Sequence, residues 1–296
     1  MRLSTLILPC GRWATMGPKW RRAEELGFHA AYTYDHLAWG RLEDGPWFGA
    51  VPTLAGAALA TSTMRLGTMV TSPNFRHPVP LAKDLMTIDD FSAGRLSIGV
   101  GSGGVGRDSL VLGNPPWSAR ERADRFEEFV ELLDLLLRHA DTSFAGEYYA
   151  AHEARMLPGT IQSPRPPIYV AADGARGMDL AARMGDGWIT LGRSFREDVN
   201  MPEVVAEQLA QLSDALDRHG VDDASFTRVL LLGFGDPPPF ASAGVLPSLI
   251  EQYGEMGIDE IVVHWPIAGT PFAADADLFE EAVLAALELC GTAPPP

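Results

Sequence analysis

A chain of 296 residues with 46% apolar side chains, including 7 Trp, 13 Phe and 6 Tyr, can build a full core, which excludes disorder. Lys and Arg number 23 against 39 Asp and Glu, a formal charge of −16, so nucleic acid is excluded as the main partner for want of phosphate-neutralising cations. Cys10 and Cys290 have no ligand spacing, and no run approaches the roughly 20 apolar residues of a membrane span, so the chain reads as a cytoplasmic protein without disulfides, zinc or membrane contact.

In chain order, Leu3–Pro9 is a short apolar run of strand character. Pro18 stands where a first helical turn takes proline, ahead of Trp20, Ala23 and Leu26, and Gly27 closes that helix. Ala30–Tyr34 is a second strand, ending in Asp35-His36. After a loop with Trp39 and Trp47, Val51–Ala60 reads as a helix of small residues. Met64–Ser72 is a third strand, stopped by Pro73, which cannot donate to a sheet ladder. Leu81, Leu85, Ile88 and Phe91 then recur at helical intervals within Pro78–Ser92, and Gly94 ends that helix. A fourth strand, Leu96–Gly101, opens into Ser102-Gly103-Gly104.

Val105–Pro167 breaks this rhythm as an insertion of about 60 residues. Little helical pattern separates Gly104 from Asn114-Pro115-Pro116. Ser118 and Glu121 form a capping box ahead of a stripe through Phe126, Phe129, Val130, Leu133, Leu136 and Leu137. Thr142–Tyr149, with Gly146 at a turn, reads as a hairpin. Strands then return at Pro167–Ala172, Gly187–Leu191, Arg228–Gly233 and Glu260–Trp265. Helices follow them at Met178–Met184, Pro202–His219, Val245–Met256 and Leu278–Leu289, before a frayed tail at Thr292–Pro296. Eight strands, each followed by a helix, predict an α/β fold: one (β/α)8 TIM barrel domain over residues 1–296, with an insertion after strand 4 at about 105–167. A doubly wound open sheet is the alternative.

Barrels of this kind place their chemistry at the carboxyl ends of the strands. Those ends carry Asp35-His36, Thr71-Ser72, Ser102 to Gly104, Asp173 to Gly177, Gly192-Arg193 and His264-Trp265, a polar, glycine-rich mouth. Trp39, Phe75 and Trp265 suggest an apolar pocket for a small-molecule substrate, with core packing as the other reading. Gly99-x-Gly101-x-x-Gly104 formally matches a dinucleotide fingerprint, but no helix opens at once behind it. Ser102 has Val100 where a nucleophile elbow needs glycine. His152-Glu153 lacks the second histidine of a zinc helix, and metal is not expected. Gly174 and Gly177 flank Arg176 ahead of a helix; they either present N–H groups to a phosphate or make an ordinary strand-to-helix turn.

These residues resemble the luciferase-like monooxygenase superfamily of flavin- and deazaflavin-dependent barrels. The likeness lies in YDH at Tyr34–His36, RLGTMVTSPNFRHP at Arg65–Pro78, LAK at Leu81–Lys83 and LSIGVGSGG at Leu96–Gly104. It continues in PRPPIYVAADG at Pro164–Gly174 and DGW at Asp186–Trp188, and so covers nearly the whole chain. Asp35-His36 and GTMVTSP are most similar to members that use coenzyme F420, an 8-hydroxy-5-deazaflavin; FMN users share the scaffold.

The resemblance implies a homodimeric oxidoreductase that moves hydride between F420 and a small organic substrate. An FMN-dependent monooxygenase and a barrel that binds flavin without turnover are the alternatives. On matching positions, Asp35 and His36 face the ring and carry catalysis. Met69, Val70, Ser72, Ser102 and Gly103 touch the cofactor, and Gly174, Ala175, Arg176 and Gly177 take its phosphate. The substrate pocket falls to Trp39, Phe75, His264 and Trp265. Deazaflavin sugar-phosphate dehydrogenases carry a catalytic glutamate where this chain has Gly104, which leaves His36 as the leading acid/base. Superfamily members of this kind also hold a non-proline cis peptide behind the ring, and the matching bond is Met69–Val70.

Overall fold

A computed structural model describes residues 1–40, 42–104, 107–192, 200–234 and 237–291. Its elements in chain order are β1 (Arg2–Leu6), α1 (Trp13–Leu26), β2 (Ala30–Thr33), α2 (Ala50–Ala60), β3 (Arg65–Thr71), α3 (Pro78–Phe91) and β4 (Leu96–Gly101). The insertion holds α4 (Arg107–Val111), α5 (Ala119–Arg138), β5 (Asp141–Ala145) and β6 (Ala150–Arg155). Then come β7 (Ile168–Ala171), α6 (Ala175–Met184), β8 (Gly187–Thr190), α7 (Met201–His219), β9 (Thr227–Leu231), α8 (Val245–Glu255), β10 (Glu260–His264) and α9 (Ala276–Leu289). Eight parallel strands close in the order β1-β10-β9-β8-β7-β4-β3-β2, the TIM barrel expected from the alternating pattern. β5 and β6 form a separate antiparallel pair, the expected hairpin, extended to Arg155.

Apolar side chains fill two layers. Trp20, Trp188, Phe129, Leu54 and Leu85 pack between strands and helices, while Leu6, Tyr32, Tyr169, Ile189, Val229 and Val262 fill the barrel. At the amino ends of the strands the barrel is plugged by polar groups: the Tyr32 hydroxyl donates to the fully buried Glu260 at 2.9 Å, and Arg2 lies 3.8 Å from the same carboxylate. Burial, reinforced by Glu260, pushes the Tyr32 phenol above its ordinary range, which keeps it a donor. Five residue pairs, Arg2↔Glu260 to Leu6↔His264, join the first and last strands, and Thr5 Oγ1 donates across that seam to the Val263 carbonyl at 3.1 Å. The lower end is closed, and the upper end is left for a site.

The insertion is tied down locally. Ser118 Oγ accepts the Glu121 N–H at 3.1 Å, the cap expected for α5. The Glu128 carboxylate of α5 accepts the N–H groups of Glu147, Tyr148 and Tyr149 and so fixes the hairpin turn.

Three expectations change. α1 begins at Trp13, so Pro18 lies inside it rather than in its first turn. The added turn is held by tertiary packing, because the Trp13 indole covers Gly17 and Gly56, where a Cβ would come within 2.9 and 3.0 Å of the ring. A short helix, α4, forms between Gly104 and Asn114 despite the weak pattern, anchored by the side chain of Asp108. α6 starts at Ala175, which places Ala175, Arg176 and Gly177 in a first helical turn capped by Gly174. No helix among the described residues is long and apolar enough to cross a membrane.

Candidate active site

At the carboxyl ends of the strands lies a cavity of about 560 Å³. Met69 and Val70 of β3, Gly101 of β4, Ala171 of β7, Ile189 of β8 and Leu231 form its floor. The Met69–Val70 peptide is cis, as the resemblance implied, and the β3–β4 register shifts between Thr68 and Thr71. Only glycine fits opposite this bulge: a Cβ at Gly101 would stand 2.6 Å from Val70 Cγ2. Of the expected cofactor contacts, Met69, Val70, Ser72, Ser102 and Gly103 all line the cavity. The Ser72 hydroxyl is buried there with no hydrogen-bond partner among the described residues.

His36 lies on the rim with Nδ1 2.8 Å from Asp108 Oδ2, and Asp108 Oδ1 accepts the Leu37 N–H at 2.7 Å. A carboxylate only accepts, so its contact assigns the imidazole proton to Nδ1 and leaves Nε2 as the basic nitrogen. Asp108 is buried, whereas a quarter of the His36 side chain stays exposed. Asp108 has no place among the expected site residues. Its signal was an acid four residues past Gly104, at the end of the fourth strand loop. Tyr34, Asn74, Arg107 and Phe234 also line the cavity without having been anticipated.

Asp35 does not face the cavity. It is 1% exposed, accepts both Arg76 Nη2 at 2.7 Å and Arg76 Nε at 3.0 Å, and takes the Thr71 hydroxyl at 2.6 Å. Extended chain sends successive side chains to opposite sides, so Tyr34 and His36 reach the cavity and Asp35 points behind it. Asp35 is therefore a structural carboxylate rather than a group at the ring.

The expected substrate pocket divides in the same way. Trp39 lines the cavity. Phe75 instead lies under the Arg76 guanidinium, 4.7 Å from its ring centre, and Trp265 packs on Phe279 at 5.0 Å. His264 stands one layer back, buried against Phe272 with ring centres 3.7 Å apart. Its Nδ1 meets the Leu232 carbonyl at 3.1 Å, which assigns Nε2 as the acceptor of the Tyr34 hydroxyl at 2.9 Å. His264 thus braces a cavity wall without touching the cavity.

Burial pushes the His264 pKa down to about 3 from an ordinary 6.5. Between these values the unfolded chain binds a proton that the folded chain refuses, so stability falls as pH drops through that window. We expect a His264→Gln variant to lose less stability than the parent between pH 6.5 and 4, the difference approaching about 1 kcal/mol per pH unit. Urea midpoints across that range test it; parallel curves would refute it.

Gly174 to Gly177 border a second groove, of about 350 Å³, that shares Ser102, Ala171, Ala172 and Asp173 with the main cavity. Arg176 is already committed there, pairing with Glu127 at 2.7 Å and Asp124 at 2.6 Å. The N–H groups of the first α6 turn, which have no side-chain cap at Gly174, are what the groove offers an anion among the described residues. Arg193 and the tail 292–296 lie outside the described residues.

The sequence model of a family described as luciferase-like monooxygenase matches residues 11–293. An F420-dependent glucose-6-phosphate dehydrogenase of Beutenbergia cavernae is 36% identical over 180 residues, 59% of this chain and 52% of that protein. One from Amycolatopsis mediterranei is 29% identical over 278 residues, 87% of this chain and 81% of that protein. The chain thus spans about half the length of the first relative and most of the second. Among solved structures, an F420-dependent secondary alcohol dehydrogenase in complex with an F420–acetone adduct superposes with a TM-score of 0.77 at 19% identity, over 96% of this chain and 98% of that one. That last likeness is one of fold.

Proposed function

This chain belongs to the luciferase-like monooxygenase family, and from that membership we propose that it is an oxidoreductase passing hydride between coenzyme F420 and a small organic substrate. The observation that carries the reading is the His36–Asp108 pair on the rim of a cavity that also holds the orphaned Ser72 hydroxyl. The F420-dependent activities named for its relatives favour the deazaflavin over FMN.

The residues present suit such a cofactor. Ser72 and Ser102 would hold the ring and its neighbouring groups over the Met69–Val70 bulge, and the first α6 turn would take the phosphate. When bound, the deazaflavin supplies two-electron hydride chemistry. His36 Nε2 takes a proton from a substrate hydroxyl, or returns one to a carbonyl oxygen. Asp108 orients the ring and stabilises the imidazolium, so the acid absent at Gly104 is not needed for that step.

Titration of the protein with F420 and with FMN, followed by fluorescence and calorimetry, tests the reading. We expect F420 to bind at least about tenfold more tightly, a difference of about 1.4 kcal/mol. Tighter FMN binding would favour the monooxygenase alternative, and binding of neither would overturn the proposal. For the phosphate, Gly174→Val is the informative variant, since a Cβ there meets nothing within 4 Å and the backbone is extended. The fold should be untouched while F420 affinity falls by about tenfold or more. An unchanged dissociation constant would remove the α6 terminus from the site.

A further inference from the structure

We propose that Tyr34 is a positioning residue for the proton step: tethered by its hydroxyl to His264, its ring fixes the tilt of the His36 imidazole. This rests on the F420 oxidoreductase reading above and adds the group that aims its base.

The tether begins at a histidine that has no room to turn. His264 is 3% exposed, stacked on Phe272 with ring centres 3.7 Å apart and met edge-on by Phe234 at 5.2 Å. The backbone closes over it at Gly233, where φ is +117° and a Cβ would come within 2.8 Å of Nδ1. Its two ring nitrogens have opposite duties: Nδ1–H donates to the Leu232 carbonyl, and Nε2 accepts the Tyr34 hydroxyl at 2.9 Å. Burial holds this ring neutral, and only a neutral imidazole can both donate and accept. The hydrogen bonds therefore run one way, from Tyr34 to His264 to Leu232.

Tyr34 passes that order on. Tyr34 and His36 are two residues apart in extended chain, which puts both on the cavity side. The Tyr34 ring meets His36 edge-to-face, with 6.0 Å between centres at 80°, and leans on Trp39 at 5.4 Å. His36 needs such a neighbour. The Trp47 indole pins its carbonyl at 2.8 Å and Asp108 its Nδ1, and a quarter of the side chain is exposed. One hydrogen bond at one ring atom leaves an imidazole free to tilt about it. A ring set edge-to-face against it removes that freedom. Aim matters here, because a general base acts only within hydrogen-bond reach of the proton it takes. A phenyl ring would fill the same space, so what the Tyr34 hydroxyl adds is the link from His36 back to a fixed anchor.

In the test, the full chain without cofactor is labelled isotopically at its histidine rings, and their Cε1–H signals are read by NMR. The His36 signal is the one missing in His36→Ala. The parent is expected to show a nuclear Overhauser contact between His36 and the Tyr34 ring, and its absence would overturn the proposal whatever the variants do. Tyr34→Phe and His264→Leu are each expected to displace and broaden the His36 signal, while those of His139 and His219, at the ends of α5 and α7, stay in place. His264→Gln, whose amide oxygen can still accept the hydroxyl, is expected to bring the His36 signal back toward its parental position. An unmoved His36 signal in Tyr34→Phe would overturn the proposal. So would equal displacement at His139 and His219, the mark of a general loosening, or a His264→Gln spectrum no closer to the parent than that of His264→Leu. Failure of the protein to bind F420 would instead overturn the underlying reading and leave these ring contacts as they are.

Discussion

Replacing His36 by Ala is expected to lower turnover by about a hundredfold or more, while F420 affinity changes by less than about threefold. The reason is positional. His36 stands on the rim with Nδ1 taken by Asp108, so Nε2 is the nitrogen left to exchange a proton with a bound hydroxyl. Asp108→Asn should act through the same ring: an amide can donate to Nδ1 and reverse the tautomer, costing about tenfold or more in kcat. Its signature is a displaced pH–rate profile with F420 binding preserved, which a merely structural role for Asp108 would not produce. Rates come from F420 absorbance and affinities from calorimetry. Unchanged turnover in His36→Ala would make the residue a bystander, and loss of F420 binding would make it a ligand.

The neighbouring residue is expected to behave in the opposite way. Asp35→Ala should destabilise the fold by about 3 kcal/mol, the lower end of what breaking a buried ion pair costs, because Arg76 keeps some contact with water. The deletion strands the Arg76 guanidinium and the Thr71 hydroxyl together, both behind the cavity. Urea denaturation gives the loss directly, and turnover per folded molecule should hold to within about threefold, because Asp35 touches no reacting atom. A loss below about 1 kcal/mol would show that the pair contributes no more than a surface contact. A large fall in kcat at full stability would return Asp35 to the reaction.

The barrel was legible because its signals are local. Each strand ends at residues that cannot continue it, and each following helix announces itself by apolar spacing, as in Leu81, Leu85 and Ile88. The site was legible only in part. Tyr34, Asp35 and His36 are adjacent in sequence, yet strand alternation sends the middle one away from the cavity. That rule was available from sequence and gives the division by itself. The His36–Asp108 pair is another matter: its partners are 72 residues apart, and no spacing within either segment encodes their meeting. Arg176 likewise is claimed by Asp124 and Glu127, 52 and 49 positions earlier on α5. Charge that looks available in a motif is often spent on a neighbour that only the fold supplies.

The seam between β1 and β10 has a consequence for how the chain is made. Thr5 and Val263, joined across it, are 258 positions apart, so β1 leaves the ribosome long before its partner exists. At about 5–20 residues per second the wait is on the order of 10 to 50 seconds. Throughout that interval one edge of β1 offers unpaired N–H and C=O groups beside apolar side chains, a template for wrong pairing. Synthesis therefore passes through an open-sheet stage in which the last strand must still arrive before that edge of β1 is covered.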